Sequence, residues 1–334
     1  MTSNARELAQ IPSTPSGRRN LIINGAMQVA QRGTSFSSNA SIYTLDRMRR
    51  AGTSLATAVF STEQSTDSPE GFSNSYKVTT STVEGSVGAD DISYGLVHKI
   101  EAQDLQHLGY STSSAKSVTV SFYVKSNTTG TYVLSLYNAD NARSVGKTYA
   151  ISSANTWEYK TLTFAGDTTD GFNNDNGSGL ELYFITGAGG NYTSGDLHAT
   201  WADYAAANFS GGQSVQLQNT LNATWQITGV QLEVGSVATE FEHRSFGEEL
   251  ALCQRYFTEG YFRARLGLSN DALAEFPLYF KQSMRATPTL SATAGLGTLS
   301  SISSDSFAED GCYLDFSASL NNNYACDWEA DAEL

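Results

Sequence analysis

Apolar and polar residues alternate along much of positions 20–243, and a period of two predicts β-strands. From 118 to 124 every even-numbered residue is Val or Phe, whereas the odd-numbered residues are mostly polar. Tyr132, Leu134 and Leu136 repeat the pattern beyond a turn at 127–130, so the two runs are predicted to form a hairpin. Further strands are predicted at 20–24, 42–50, 55–61, 76–80, 94–100, 157–164, 180–185 and 224–234.

The strand at 224–234 changes phase in its middle. Its large apolar residues are odd-numbered up to Ile227 and even-numbered from Val230 onward. A slip of one residue at Gly229 keeps both sets facing the core, which predicts a β-bulge there.

Short strands separated by turn residues are typical of antiparallel sandwiches, whereas a parallel α/β sheet needs a helix after nearly every strand. Only 101–108 offers a brief helical stretch within this region. The sequence therefore predicts an all-β protein with a jelly-roll β-sandwich, one short connecting α-helix and a small C-terminal β domain.

The connecting helix is predicted at 246–258. Ser245 and Glu248 have the spacing of a capping box, which closes the free N–H groups at the start of a helix. An apolar stripe must be covered, either by the flanking β regions or by the same helix of neighbouring subunits. The stripe consists of Phe246, Leu250, Cys253 and Phe257.

Strands are predicted again at 275–282, 289–294, 299–303, 311–316 and 324–328. About seventy residues with few large apolar side chains bury only a small core, so this part is expected to depend on oligomerisation. The predicted organisation is an N-terminal arm at 1–19, a jelly-roll domain at 20–243, a connecting helix region at 244–262 and a C-terminal β domain at 263–334.

Composition excludes several classes of protein. Only 16% of the 334 residues are charged, the net charge of −14 opposes binding of nucleic acid, and no apolar run is long enough to span a bilayer. Residues 1–30 lack the pattern of a signal peptide. Three Cys without a CxxC pair make neither a disulfide framework nor a zinc site, so we expect reduced thiols.

Charge is unevenly distributed along the chain. Residues 1–50 hold seven Arg against Glu7 and Asp46, a net charge of +5, which leaves −19 for the rest. No basic residue follows Arg285, whereas eight carboxylates do. The asymmetry predicts different partners at the two ends, and solvated arginines on a turn-rich surface are the alternative. The basic arm predicted to dock includes Arg6, Arg18 and Arg19.

Common catalytic motifs are absent from the sequence, which has no GxSxG, HExxH, P-loop or GxGxxG. Its four His have no metal-ligand spacing, which favours structural roles. A pair of catalytic carboxylates for glycoside hydrolysis stays an open alternative, because the distance between two such carboxylates is set by the three-dimensional fold. We expect no enzymatic activity and no cofactor other than a structural Ca²⁺.

Oxygen ligands of the kind that Ca²⁺ prefers are densest at 167–177. The segment does not match an EF-hand loop, and a turn-rich loop is the alternative, because Asp, Asn and Gly are common in turns. The candidate ligands are Asp167, Asp170 and Asp175.

Aromatic residues beside amides suggest a sugar-binding groove in a Gly-, Ser- and Asn-rich stretch around 190–210. Flat rings stack on the apolar face of a sugar, and polar groups bond its hydroxyls. Core or interface positions are the alternative. The candidate residues are Asn191, Tyr192, Trp201 and Tyr204.

Five segments of the sequence carry a family resemblance, at 20–34, 43–47, 227–256, 284–289 and 331–334. The most specific is 227–256, which begins Ile227-Thr-Gly-Val-Gln-Leu-Glu-Val-Gly235 and ends Phe241-Glu-His-Arg-Ser-Phe-Gly-Glu-Glu-Leu-Ala-Leu-Cys-Gln-Arg-Tyr256. These segments resemble a family of tail-fibre and related virion proteins from marine bacteriophages. The resemblance implies a jelly roll similar to carbohydrate-binding modules, followed by the helix and a distal β domain, and it brings no catalytic residues.

The resemblance also implies a virion protein on the tail or capsid surface, made in the cytoplasm of the bacterial host. We expect a trimeric tail fibre or receptor-binding protein that attaches the particle to host surface glycans through several weak sites. The expected partners are other virion proteins, further copies of the chain and host polysaccharide, without membrane insertion. The alternatives are a capsid, neck or head-fibre protein that stabilises the virion without binding glycan, and a polysaccharide hydrolase.

Overall fold

The computed structural model describes residues 18–265, 274–303, 308–317 and 323–334. Within them, the larger part of the chain is a sandwich of two antiparallel sheets. The first sheet contains, in spatial order, β1 (Ser35–Ser38), β4 (Val59–Ser65), β5 (Ser75–Thr82), β13 (Thr224–Val234), β7 (Val118–Ser126) and β10 (Glu158–Phe164). The second contains β12 (Ala202–Asp203), β9 (Arg143–Ile151), β8 (Gly130–Asn138), β11 (Ser178–Ala188), β6 (Ile92–Glu101), β3 (Arg49–Thr53) and β2 (Ile42–Tyr43).

The core lies between the two sheets, because both present their apolar residues inward. Val120 and Phe122 of β7 and Leu134 and Leu136 of β8 are completely buried in one shared cluster. The fold is an all-β jelly-roll sandwich, and the predicted class is confirmed.

The predicted hairpin of β7 and β8 is wrong. β7 pairs with β10 and β13 in the first sheet, whereas β8 pairs with β9 and β11 in the second. The turn at 127–130 therefore carries the chain from one sheet to the other. Alternation identifies the residues that face the core, but strands on opposite sides of one core share the same alternation.

The predicted bulge in β13 is confirmed. Pairing with β7 slips between Thr228 and Gln231, and Gly229 has a φ of 62°. A Cβ atom at position 229 would lie 2.7 Å from the Phe72 ring. The position therefore requires glycine for its backbone and for the ring that covers it.

Helices are short in this protein. They are α1 (Gly190–Thr193), α2 (Phe246–Gln254) and 3₁₀ segments at Ala102–Leu108, Ala206–Asn208 and Leu217–Asn219. The Ser245 side chain accepts a hydrogen bond from the Glu248 N–H, and the Glu248 carboxylate accepts one from the Ser245 N–H at 2.9 Å, so the predicted capping box is confirmed. No helix in the described ranges could cross a bilayer.

The apolar stripe of α2 is covered by the chain itself. Cys253 and Tyr256 pack against Ile23, Val29 and the C-terminal residue Leu334. Phe246, the first residue of the stripe, is exposed. The sequence leaves open whether the flanking regions or neighbouring subunits cover the stripe. The structure shows that residues of the same chain cover it.

Two three-stranded sheets follow α2 and form a second, smaller sandwich. One contains β14 (Phe257–Arg265), β19 (Asn323–Asp331) and β16 (Thr289–Leu296), and the other contains β15 (Ala274–Tyr279), β18 (Gly311–Ser317) and β17 (Thr298–Ser303). Leu314, Phe316, Tyr324 and Cys326 are buried between them. All three Cys of the chain are buried free thiols.

Charged residues join the small sandwich to the jelly roll at a contact that we call the Glu333 clasp, formed by Arg32, Arg47, Asp331 and Glu333. The Glu333 carboxylate lies 3.3 Å from the Arg32 guanidinium and forms a second ion pair with Arg47. The Arg47 guanidinium also stacks on the Tyr256 ring at 3.5 Å. Arg32 pairs with Asp331 at 3.0 Å.

The Glu333 clasp corrects the interpretation of the charge asymmetry. Two arginines of the basic start bind two carboxylates of the acidic end, so these groups satisfy each other within one chain. The prediction that the two ends face different partners is wrong for these residues. A linear charge pattern carries no information about which segments meet in the fold.

Candidate functional site

A groove lies on the outer face of the first sheet. Its floor is formed by β7, β10 and β13, where Tyr123 is paired with Tyr159 on one side and with Thr228 on the other. Tyr123 points outward because its neighbours Phe122 and Val124 are buried in the core. Tyr159 is 47% exposed, so one aromatic ring of the floor is open to solvent.

Aromatic rings line this groove continuously. The ring centroids of Tyr123 and Tyr159 are 4.9 Å apart, and those of Phe72 and Tyr123 are 5.6 Å apart. Phe72 in turn lies 5.0 Å from Phe241 and 5.3 Å from the imidazole of His243. These separations are those of direct ring contact, so the five rings form one surface.

Two loops wall the groove, one at 66–74 between β4 and β5 and one at 235–243 after β13. Together with the floor they enclose a volume of about 640 Å³, comparable to ligand-binding clefts. Polar groups reach the same space from both loops. The polar lining residues are Glu70, Ser121, Thr239, Glu240 and His243.

Side chains of the second wall loop, 235–243, hold it in place through hydrogen bonds to neighbouring segments. The Thr239 hydroxyl donates to Glu233 at 2.6 Å. The Glu242 carboxylate accepts from the backbone N–H groups of Arg19 and Asn20 at 3.0 and 2.9 Å. Burial raises the pKa of Glu242, but these N–H groups and Arg244 outweigh it and lower that pKa, so the carboxylate stays charged.

Trp157, the residue before β10, contacts the wall loop at 66–74. Its indole N–H donates to Asp67 at 3.3 Å, and the Lys125 ammonium lies 5.1 Å from its ring centroid. Lys125 also pairs with Asp67. Burial raises the pKa of Asp67, but the hydrogen bonds from Lys125 and Trp157 outweigh it and lower that pKa.

The predicted aromatic candidates lie elsewhere, and the structure does not bring all of them together. Tyr204 stacks edge-on against Tyr137 at 5.5 Å on the outer face of the second sheet, where Tyr192 also packs. Asn191 donates to Asp90 at 2.5 Å. Trp201 is only 9% exposed and donates to the Ala165 carbonyl at 2.9 Å, so it belongs to the core. Trp201 is thus no part of an open groove, which corrects its assignment.

The predicted calcium ligands are engaged by the protein itself. Asp167 is buried and accepts from the Arg143 Nε–H at 2.6 Å, and Asp170 lies 3.4 Å from the same nitrogen. Asp175 accepts from the Gly177 N–H at 2.9 Å as a turn residue does. Among the described residues no group of three His, Cys, Asp or Glu side chains could hold a metal ion. The arrangement favours an arginine-bound loop, and the calcium site stays a prediction.

Calcium should leave the stability of the protein unchanged. We expect CaCl₂ or EDTA, each at about 5 mM, to shift Tm by less than about 1 °C, because Arg143 already occupies the place of a cation at Asp167. A rise of several degrees with CaCl₂, abolished by Asp175→Asn, would contradict this assignment.

The predicted docking arginines are in part tied to the jelly roll. Arg18 lies 3.4 Å from Asp104, and Arg19 lies 3.9 Å from Glu233 and donates to the Glu240 carbonyl at 2.6 Å. Arg6 lies outside the described residues. Arg18 and Arg19 thus contact the jelly roll itself, and their docking on another virion protein stays a prediction.

Comparison with known proteins finds similarity in structure alone. No protein-family model and no curated protein matches the sequence. The enzymatically active domain of tailspike protein 4 from bacteriophage CBA120 is similar over 64% of this chain and 21% of that chain, with 12% identity and a TM-score of 0.32. This chain thus corresponds to about a fifth of the tailspike chain.

Two further similar structures contain carbohydrate-binding modules. A family 11 module from Clostridium thermocellum, in complex with a β-1,3-1,4-mixed-linked tetrasaccharide, matches over 63% of this chain and 98% of that chain, with 12% identity and a TM-score of 0.29. The tandem CBM22 modules of Paenibacillus barcinonensis Xyn10C match over 96% of this chain and 100% of that chain, with 7% identity and a TM-score of 0.30.

Proposed function

We propose that the protein binds glycans through the aromatic groove of the first sheet. The observation that carries the proposal is the joined surface of Tyr123, Tyr159 and Phe72, with hydrogen-bonding groups on both walls. A sugar ring has apolar C–H faces and hydroxyls at its rim, so it requires a flat ring beneath it and polar groups beside it. The groove supplies both within a volume of about 640 Å³.

In the proposed biological setting the protein is a virion component that attaches the particle to host surface polysaccharide. The sequence resemblance to bacteriophage tail-fibre proteins supports this setting. We propose a trimer as the functional form, because copies sharing one particle convert weak single contacts into strong attachment. The role is binding without hydrolysis, so no reducing sugar is expected from a bound glycan.

Removing the open ring of the groove should weaken glycan binding. We expect Tyr159→Ala to reduce affinity on a glycan array at least about tenfold, the effect of losing a central aromatic contact. The double variant Tyr123→Ala/Tyr159→Ala should lose detectable binding. Tyr159 is exposed, so the single change removes little core packing.

Tyr261→Ala provides the matched control, because Tyr261 is 60% exposed on β14 in the small sandwich. Its affinity should equal that of the unaltered protein. Loss of binding in Tyr204→Ala with full binding in Tyr159→Ala would move the site to the second sheet and overturn the proposal. Sedimentation equilibrium measures whether the protein is a trimer. The rate at which particles lacking the protein adsorb to host cells measures whether the protein is needed for attachment.

A further inference from the structure

Two carboxylates line the groove. Glu70 comes from one wall loop and Glu240 from the other, and both are exposed at the groove. Among the described lining residues the imidazole of His243 is the one basic group, and no Lys or Arg is present. A ligand in contact with the aromatic rings therefore meets two carboxylates.

Nearby cations are bound to other carboxylates. Lys125 pairs with Asp67, Lys77 pairs with Glu63 at 2.7 Å, and Arg19 lies 3.9 Å from Glu233. Lys125 and Lys77 are thus balanced by groups outside the lining, whereas Arg19 also donates to the backbone carbonyl of Glu240 at 2.6 Å. Within the described part of the chain, Glu70 and Glu240 form none of the ion pairs that the structure contains.

We propose that the groove selects sugars without negative charge, either neutral or amino sugars, and rejects uronic acid and sulfated residues. This inference rests on the proposed glycan-binding function and specifies its ligand class. An anionic sugar would have to approach two carboxylates while it loses water against the aromatic floor. Repulsion between like charges at a partly solvated surface weakens binding on the order of tenfold, and added salt reduces the effect.

The test compares matched glycans that differ in charge alone. A neutral polysaccharide bound by the protein is oxidised at its primary hydroxyls to the corresponding uronic acid, and a second sample is sulfated. Isothermal titration at low salt should show binding of both anionic forms at least about tenfold weaker than binding of the neutral parent. In Glu70→Gln/Glu240→Gln, the affinity for the anionic forms should rise about tenfold. The control Glu275→Gln/Glu329→Gln removes the same charge from the small sandwich and should leave every affinity unchanged.

Two results would overturn the inference. One is equal affinity of the unaltered protein for neutral and anionic forms, and the other is an unchanged ratio of affinities in Glu70→Gln/Glu240→Gln. Absence of binding to every neutral, amino, uronic and sulfated glycan on an array is a different result, because it overturns the proposed function itself. Circular dichroism on each variant confirms folding, which is expected since both replaced carboxylates are exposed.

Discussion

Replacing Glu333 by alanine should lower the free energy of unfolding by about 3–5 kcal/mol, the cost of leaving a buried charge without its partner. Arg47 has 1% of its side chain exposed and Glu333 has 4%, so water cannot replace the lost carboxylate. The same carboxylate pairs with Arg32. Urea unfolding followed by circular dichroism measures the change, and a constant m value shows that it reflects stability.

Asp331→Asn is the matched control for Glu333→Ala. Asp331 also pairs with Arg32, but it is 44% exposed, so its loss should cost less than about 1 kcal/mol. Adding Arg47→Met to Glu333→Ala should restore part of the stability, because an apolar side chain removes the unpaired buried cation. Equal effects of Glu333→Ala and Asp331→Asn would show that burial does not determine the strength of the clasp.

The sequence shows the charges of the Glu333 clasp but not their pairing. Arg32 and Arg47 stand about 300 positions before Glu333, and ion pairs between them depend on how β14 and β19 place the chain end. No local pattern encodes that placement. Charge pattern alone therefore predicts separate partners for two arginines and two carboxylates that bind each other.

Strand positions are predicted well where one face of the strand is purely apolar. The alternation does not predict β9, because Lys147 takes an inward position between Val145 and Tyr149 and interrupts the apolar set. Its ammonium lies 6.0 Å from the Phe164 ring, so the aliphatic stem covers apolar surface. The strand predicted at 20–24 is wrong. Its apolar residues 21–23 are buried, but the segment meets β13 through single contacts such as the hydrogen bond from the Leu21 N–H to the Leu232 carbonyl.

The groove left a signal in the sequence that composition alone does not reveal. Tyr123 and Tyr159 are aromatic residues at outward positions of strands, where polar residues are usual. Trp201, by contrast, lies in the stretch around 190–210 that suggested a binding groove, and yet it is buried, with its indole N–H donating to a backbone carbonyl. Position relative to the core is thus a better indicator of a binding ring than the polarity of its neighbours.

Glu101→Gln should destabilise the protein in a manner that depends on pH. Glu101 is completely buried and accepts hydrogen bonds from Arg255 at 2.8 Å and from the Tyr256 hydroxyl at 2.6 Å, which connects β6 to the end of α2. Burial raises its pKa, but Arg255 and Tyr256 outweigh it and hold the pKa below the usual 4.5. Since Arg255 is partly exposed, the loss near pH 7 should be about 2 kcal/mol.

The sign of the pH effect follows from that lowered pKa. A carboxyl whose pKa is lower in the folded protein contributes stability above its unfolded pKa, and the contribution disappears as pH falls through the folded pKa. The difference between the unaltered protein and Glu101→Gln should therefore be full near neutral pH and shrink below about pH 4.5. Asp104→Asn, which removes a half-exposed partner of Arg18 close by, should cost less than about 1 kcal/mol. A difference that stays constant or grows between about pH 7 and about pH 3.5 would mean that the Glu101 charge does not hold α2 to the jelly roll.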